Sequence, residues 1–499
     1  MLILLYLSSG LFLGWSLGAN DAADIFGTAV GSKMVRFRTA AIISSLCIIL
    51  GAWISGRGAS HTLEQLGEIN QLGGAFIVAL TAGATVYWMT MLKLPVSSSQ
   101  SIVGAIIGWN IFTGSLTDTD TFKTIAATWV ICPVLAAVFS MGLYVAVRRI
   151  IMKSKMHLIK LDFYNRIGLI LVGAFGAYSL GANNISNVMG VFVPVFPFKP
   201  LDLWAVRLSS AEQLFLLGGI AISIGIFTYS HKVISTVGEG IVDLKPLSAF
   251  TVVLASSLVL FLFSSQEIQQ FLAGNNLPTI PLVPVSSSQA IVGAVIGIGI
   301  IHGGRGINYK LLGKIGLGWM VTPLIACTMS FIALFIFQNV FSQRVFRPVE
   351  YAVTEEARDR LSSEKIPARL IDTVSGRNYA NAAAFRDALK EKDPALSPET
   401  IGTIIRFTRI QEIVVSTGLV PAELRTPGWL TPGEADALRK INGMKFHHSW
   451  QMEEALAEKS AEWVLKPDRA EFRPYNKRLR DRLRYLVSKM ALYETAGDQ

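Results

Sequence analysis

The chain has 499 residues, of which 51% are hydrophobic and only 16% are charged, whereas soluble proteins average about 25% charged residues. The charges are unevenly spread: residues 1–345 contain 20 Lys and Arg with 12 Asp and Glu, and residues 346–499 contain 25 and 23. The first region is too apolar for a surface that faces water. This composition excludes a single soluble globule. The net charge of +10 does not indicate nucleic-acid binding, because the basic residues of the first region lie in short clusters between apolar runs.

Eight apolar runs approach or exceed the roughly 20 residues that a helix needs to cross a bilayer. They lie near residues 1–20, 39–56, 73–92, 122–147, 167–182, 213–230, 247–264 and 312–340. Two further segments, 95–112 and 284–301, are shorter, begin at proline and are rich in Gly and Ser. Each of the two either crosses obliquely or is re-entrant, and hydropathy leaves both alternatives open. We therefore predict an all-α polytopic membrane protein.

An internal repeat organises these runs. Residues 17–21, Leu-Gly-Ala-Asn-Asp, recur as residues 180–184, Leu-Gly-Ala-Asn-Asn. Residues 95–100, Pro-Val-Ser-Ser-Ser-Gln, recur unchanged as residues 284–289. A third match follows in the same order, in which Trp129 and Pro133 correspond to Trp319 and Pro323. Three matches in one order are not expected by chance, so we predict two repeats, residues 1–160 and 161–345.

The charges of the loops predict how the repeats are oriented. The loop after the first run carries the basic residues Lys33, Arg36 and Arg38, whereas the next loop carries the acidic residues Glu64 and Glu68. By the positive-inside rule the basic loops are cytoplasmic and the N-terminus is outside. A first repeat of about five spans then leaves the second repeat inverted in the membrane. Inverted repeats with broken or re-entrant helices are typical of secondary transporters.

The composition changes sharply after about residue 345. We predict that residues 346–499 form a small, soluble, mainly α domain with Pro/Gly breaks, as at residues 426–428 and 431–433. Its last helix is either packed in that domain or a basic amphipathic helix on a membrane surface. Since the number of spans is even whichever way the two short segments run, the domain shares a side with the N-terminus. The charge pattern slightly favours the outside.

The two Gly-Ala-Asn motifs place polar side chains inside apolar spans. Asp21 and Asp24 are the only acids among the first 60 residues, and both lie where we expect the first span to break. A carboxylate in a bilayer is costly unless it lines a cavity. The alternative is that the acids face the edge of a helix or a loop. Because oxygen ligands suit an alkali ion, and carboxylates also take a proton, we predict a site for Na⁺ or H⁺ formed by Asp21, Asp24, Asn184 and Asn187.

The two Ser-rich motifs each precede a segment that reads as a helix. Free backbone N–H groups and the positive end of the helix dipole favour an anion there, although the serines could also be simple N-caps. No Lys or Arg lies within the apolar cores, so a co-bound cation must help to balance the anion. This indicates anion–cation symport. The substrate residues we predict are Ser97, Ser98, Ser99, Gln100, Ser286, Ser287, Ser288, Gln289, Asn20 and Asn183.

Over residues 1–340 the sequence resembles the inorganic phosphate transporter family, the sodium- or proton-coupled permeases with duplicated signatures. Residues 18–32 and 181–190 resemble the two signatures, and the Ser-Ser-Ser-Gln segments resemble the hydroxyl-rich motifs. Two departures stand out: Asn184 replaces an Asp of the second signature, and Asp24 replaces an Asn of the first. In addition, Gln100 and Gln289 stand where many members have His.

The resemblance implies a multi-pass protein of the inner or plasma membrane that imports inorganic phosphate by symport with Na⁺ or H⁺. Sulfate or another tetrahedral oxyanion is the alternative substrate, and an ion channel is a less favoured class. An enzyme is disfavoured because residues 346–499 contain no phosphate-binding Gly-rich loop, metal-ligand spacing or nucleophile motif; the adjacent His447 and His448 read as a surface pair. No cofactor is expected, and a homodimer is left open.

Overall fold

The computed structural model describes most of the chain, and it divides the chain into two compact units. The described residues are 2–31, 34–92, 96–154, 157–196, 201–203, 206–231, 246–275, 277–304, 307–364, 366–420, 430–467 and 472–490. One unit comprises Met1–Phe112 and Thr117–Phe346, and the other Thr113–Leu116 and Arg347–Gln499. The predicted Lys33 of the first basic loop lies outside the described residues.

The first unit is built almost entirely of helices. We label them in chain order: α1 Leu2–Gly31, α2 Phe37–Ser55, α3 Arg57–Leu66, α4 Leu72–Met91, α5 Ser98–Thr113, α6 Thr119–Ser154, α7 Leu158–Met189, α8 Ser210–Thr228, α9 Pro246–Ser264, α10 Gln266–Gly274, α11 Ser287–Ile301 and α12 Tyr309–Asn339. A short antiparallel hairpin, β1 Leu201–Leu203 with β2 Val206–Leu208, precedes α8.

Eight of these helices in the described part of the chain are long and apolar enough to cross a membrane. They are α1, α2, α4, α6, α7, α8, α9 and α12, and each coincides, to within two residues at the ends, with all of one of the eight runs predicted from hydropathy or extends beyond it. The two Ser-rich segments instead form the short helices α5 and α11. Each is preceded by non-helical backbone, residues 96–97 before α5 and 277–286 before α11.

The expected breaks at the Gly-Ala-Asn motifs are wrong. The helix α1 continues through residues 18–24, and α7 continues through residues 181–187. Neither motif contains proline, so every residue keeps its backbone N–H donor. The side-chain amides and the carboxylate bond to one another and to neighbouring chain segments, so no backbone group has to be freed to satisfy them. The breaks in the apolar core lie before α5 and α11 instead.

Two helix crossings place α5 and α11 against the long helices α12 and α6. A Cβ atom at Gly104 of α5 would lie well inside contact distance of the Pro323 carbonyl oxygen. A Cβ atom at Gly293 of α11 would meet the Pro133 carbonyl oxygen in the same way. Only glycine allows backbones to approach this closely. The four residues occupy matching positions in the two sequence repeats.

The start of α1 and the end of α12 lie at the same end of the first unit. The Tyr6 hydroxyl donates to Oε1 of Gln343 at 3.2 Å. The ring of Phe76, near the start of α4, packs against both Tyr6 and Phe337, with centroid distances of 5.9 and 5.7 Å. The chain therefore leaves this unit at the end where it entered.

The second unit has two apolar clusters of its own. Its described helices are α13 Glu355–Ser363, α14 Ala368–Val374, α15 Ala382–Lys392, α16 Pro398–Thr408, α17 Pro432–Lys440, α18 Ser449–Lys459 and α19 Arg473–Met490. Two short strands, β3 Ile413–Val414 and β4 Lys445–Phe446, pair antiparallel. Phe385 and Ile404 are buried in the first cluster. Leu438 and Trp463 are buried in the second.

The last helix, α19, is packed rather than laid open for a membrane. Its Leu479, Leu483 and Leu486 are buried in the second cluster. The Arg482 guanidinium donates to both carboxylate oxygens of the buried Glu434 at 2.5 Å. The apolar face that could have entered a membrane surface is thus already covered, which favours the first of the two alternatives.

The prediction that two adjacent histidines lie at the surface is wrong for His448. His447 is exposed, but His448 is fully buried. The His448 ring lies 2.7 Å from the Arg409 carbonyl oxygen through Nδ1 and 3.1 Å from the Thr354 hydroxyl through Nε2. It also stacks on Trp450. Both ring nitrogens have a partner within the fold, so this ring is part of the packed interior.

Candidate functional site

A single described carboxylate lies in the buried centre of the first unit. Asp21, on α1, has no exposed surface. Its Oδ1 accepts a hydrogen bond from Asn20 at 2.8 Å. Its Oδ2 accepts one from the Ser287 hydroxyl at 2.7 Å and one from the Asn184 amide at 3.0 Å. Asp21 therefore joins α1 to α7 and to the start of α11.

Three asparagines near the end of α7, Asn183, Asn184 and Asn187, form the facing side of this centre, and all three are fully buried. Asn183 holds the backbone of Val285 at both ends of its amide: Nδ2 donates to the carbonyl at 2.7 Å, and Oδ1 accepts from the N–H at 3.1 Å. Asn187 donates through Nδ2 to the Ser99 hydroxyl at 2.9 Å. The α7 motif thus contacts both Ser-rich segments.

The serines of each motif divide into two roles. Ser97 and Ser286 accept hydrogen bonds from the backbone N–H groups of Gln100 and Gln289, at 3.2 and 3.3 Å, so they are N-caps of α5 and α11. The remaining serines, Ser98, Ser99, Ser287 and Ser288, lie in the first turns of these helices and are buried. The N-cap alternative therefore holds for one serine in each motif and not for the others.

Matching residues of the two repeats make matching bonds. The Ser99 hydroxyl donates to the Val285 carbonyl at 3.1 Å, and the Ser288 hydroxyl donates to the Val96 carbonyl at 3.0 Å. The Asn20 amide likewise donates to the Val96 carbonyl at 3.3 Å, as Asn183 does to Val285. The N-terminal ends of both short helices are thereby held next to both Gly-Ala-Asn motifs.

Several buried oxygen atoms at this centre accept no hydrogen bond from the described residues. They are Oε1 of Gln100, Oε1 of Gln289 and Oδ1 of Asn187. Buried polar atoms in proteins are nearly always paired, so unpaired ones point to a ligand, ion or water. Carbonyl oxygens next to a carboxylate are ligands that an alkali cation prefers. The first turns of α5 and α11 offer hydroxyls and helix N-termini, which suit an oxyanion.

The structure brings nearly all of the predicted residues together. Asn20, Asp21, Asn183, Asn184 and Asn187 meet the Ser-rich segments in one buried region. Asp24 lies on α1, but its side chain is outside the described residues. Sequence reasoning missed the carbonyl groups of Val96 and Val285 and the Thr90 hydroxyl, which donates to Asn20 at 3.3 Å. The only signal for the carbonyls is the Pro-Val step repeated before each serine run.

The phosphate transporter family model matches residues 17–268 and 273–459 of this sequence. The chain belongs to the phosphate transporter family. The second matched segment extends beyond residue 340, where the resemblance of the sequence motifs ended.

Two relatives and one solved structure illustrate the similarity. A predicted phosphate permease of Pyrococcus abyssi is 24% identical over 404 residues, which cover 66% of this chain and 96% of that protein. The chloroplastic inorganic phosphate transporter 2-1 of Arabidopsis thaliana is 21% identical over 437 residues, which cover 67% of this chain and 72% of that protein. A solved structure of a sodium-dependent phosphate transporter shares the fold, with a TM-score of 0.54, 22% identity, and coverage of 68% of this chain and all of that one.

Proposed function

We propose that this member of the phosphate transporter family is a secondary active transporter that imports inorganic phosphate by symport with a cation. The observation that carries the proposal is one buried network that joins Asp21 to the first turn of α11 through Ser287, and Asn187 to the first turn of α5 through Ser99. Phosphate would bind at the first turns of α5 and α11, near Ser98, Ser287, Gln100 and Gln289. The serine hydroxyls and the free backbone N–H groups of these first turns supply hydrogen-bond donors, so no basic side chain is needed to bind the anion.

The cation makes an anion acceptable next to Asp21. A carboxylate and a phosphate repel each other at close range, so binding both requires a positive charge between or beside them. The oxygens of Asp21, Asn187 and Gln289 suit Na⁺. The sodium dependence named for the solved relative supports Na⁺ over H⁺ as the coupling ion. Asp24 remains a predicted member of this cation site. Asn184 is also a predicted ligand, but in the structure its amide nitrogen faces Asp21 and its oxygen accepts from Asn183 and Asn187.

We infer alternating access through two inverted repeats, residues 1–160 and 161–345. In support, Ser99 bonds to Val285 while Ser288 bonds to Val96, so each repeat holds the other by the same contact. The glycine crossings of α5 on α12 and of α11 on α6 are matched in the same way. Two equivalent halves around one central site allow the site to open to either side by exchanging their conformations.

We also propose that residues 346–499 form a soluble domain on the outer face of the plasma membrane. The hydrogen bond between Tyr6 and Gln343 supports a shared side for the N-terminus and this domain. The absolute side follows from the charges, since Arg36 and Arg38 come after the first span and Glu64 and Glu68 after the second.

Transport in proteoliposomes tests the proposal. We expect labelled phosphate to accumulate against its own gradient when an inward Na⁺ gradient is imposed. An imposed pH gradient in Na⁺-free buffer separates Na⁺ from H⁺ coupling. Competition by unlabelled sulfate and arsenate tests the choice of oxyanion. Equilibration of phosphate without accumulation under either gradient would contradict symport and indicate a channel.

A further inference from the structure

Asp21 and Asn184 occupy equivalent positions in the two repeats, since residues 17–21 and 180–184 differ only at their last residue. The structure places these two side chains in direct contact, with Asn184 Nδ2 donating to Asp21 Oδ2 at 3.0 Å. Both residues are fully buried. The repeat thus brings a carboxylate and an amide together where a strict duplication would bring together two carboxylates.

The direction of this hydrogen bond is fixed by its neighbours. Asn184 Oδ1 accepts from the Asn183 amide at 2.7 Å and from the Asn187 amide at 3.4 Å. With two N–H donors on the oxygen, the amide nitrogen must face Asp21. Ser287 donates to the same carboxylate oxygen at 2.7 Å. Asn184 therefore presents a partial positive charge to Asp21, held in place by two flanking asparagines.

A carboxylate at position 184 would add a second buried negative charge, which a proton or a cation would have to balance. Two buried carboxylates about 3 Å apart cannot both stay ionised without a proton or a cation between them. In this chain the amide N–H of Asn184 already provides the attraction that such a cation would supply. We infer that Asn184 takes the place of one coupling cation, so the site takes up one cation fewer than the same site with a carboxylate in both repeats. This inference rests on the cation role proposed for Asp21.

The experiment counts Na⁺ bound to the purified full-length protein by equilibrium binding of radioactive Na⁺ in detergent, without phosphate. We expect Asn184→Asp to bind one Na⁺ more than the wild type. The double variant Asp21→Asn with Asn184→Asp moves the carboxylate of this pair to the other repeat and should bind the same number as the wild type. Asp21→Asn alone should bind one fewer. The control is Asn308→Asp, an exposed N-cap of α12 where Asp caps equally well, which should leave the count unchanged.

Any of three results would overturn the inference. One is a folded Asn184→Asp protein that binds no more Na⁺ than the wild type. Another is a double variant with the reduced count of Asp21→Asn, and this result decides the matter even where Asn184→Asp does not fold. A wild type that binds no Na⁺ also overturns it. Failure of the proposed function is separate, because a protein that transports no phosphate still gives these counts.

Discussion

Asp21 is the residue on which coupling to a cation depends most directly. We predict that Asp21→Asn lowers Na⁺-driven phosphate uptake to background while the protein still inserts and folds. The substitution removes the charge but keeps the size, and the amide can still bond to Ser287 and Asn20. Uptake by proteoliposomes under a Na⁺ gradient measures the loss, and size-exclusion chromatography in detergent reports folding. Wild-type uptake with unchanged Na⁺ dependence would contradict the prediction.

Substituting a serine in the first turn of α5 or α11 should weaken phosphate binding, whereas substituting a serine elsewhere should not. We predict that Ser287→Ala weakens phosphate binding by about 1–3 kcal/mol, because it leaves a buried polar partner without its hydrogen bond. Ser98→Ala, at the matching position of the first repeat, should weaken binding within the same range. Titration of the purified protein with phosphate at fixed Na⁺ measures both.

The matched control is Ser154→Ala. Ser154 is exposed and its hydroxyl donates only to the backbone of its own helix, to the Ile151 carbonyl. Its removal should leave phosphate affinity unchanged. If Ser98→Ala, Ser287→Ala and the control all bind phosphate equally well, the serine motifs do not bind the substrate and serve only to cap their helices.

At this scale the sequence predicted which side chains meet, but not how they bond. The repeat marked Asp21, Asn184 and the Ser-rich motifs as candidate site residues. Their position in apolar runs supported this, because polar residues are costly there unless they line a site. The donor direction of Asn184 depends on Asn183 and Asn187, which only a folded backbone places around it. The carbonyls of Val96 and Val285 carry no side-chain signal at all.

At the scale of helices, the crossings of α5 and α11 should be intolerant of added atoms. We predict that Gly104→Ala and Gly293→Ala each destabilise the protein by about 1–3 kcal/mol or more, the usual cost of overpacking. The new Cβ atoms would press on the Pro323 and Pro133 carbonyls. Loss of the folded fraction in detergent on heating measures the effect.

Two glycines of the partner helices provide the control. A Cβ atom at Gly142 of α6 or at Gly313 of α12 would meet nothing within 4 Å. We expect Gly142→Ala and Gly313→Ala to be neutral or slightly stabilising, since alanine favours the helix. A Gly104→Ala protein as stable as Gly142→Ala would show that the crossing tolerates a wider helix separation.

The positions of the eight spans could be predicted, but the continuity of α1 and α7 could not. Hydropathy counts apolar residues, so it ended the first run near residue 20 where Asn20, Asp21 and Asp24 begin. The helix nevertheless continues to Gly31, because the side chains of Asn20 and Asp21 find partners within the protein interior. Conversely, α5 and α11 are buried by crossings with α12 and α6, a tertiary relation between distant segments that no local pattern encodes.

At the scale of the whole molecule, the change in charge after residue 345 predicted a second unit, and the boundary at Phe346 lies close to it. Composition could not predict that Leu479, Leu483 and Leu486 are buried in an apolar cluster inside this unit. An amphipathic helix shows the same pattern whether a protein core or a membrane covers it. The partners Leu438 and Trp463 decide between the two, and they lie on other elements of the tail.

The last prediction concerns the side of the membrane on which residues 346–499 lie. Met444 is exposed, at 44% of its full surface, next to the turn at Gly443. In a background without Cys47, Cys132 and Cys327, we expect Met444→Cys to react with a membrane-impermeant maleimide in intact cells whose outer membrane, if present, has been made permeable. The reason is that the chain leaves the first unit at the end where α1 begins, and the charges place that end outside.

Two reference cysteines make the result interpretable. Thr119→Cys, exposed at the start of α6, should label in intact cells as Met444→Cys does. Ser154→Cys, exposed at the opposite end of α6 next to the basic residues Arg148, Arg149 and Lys153, should label only after lysis. If Met444→Cys follows Ser154→Cys, the domain is cytoplasmic and the outward assignment is wrong. If Thr119→Cys also labels only after lysis, the orientation of the whole first repeat is reversed, and the charge rule has failed for this protein.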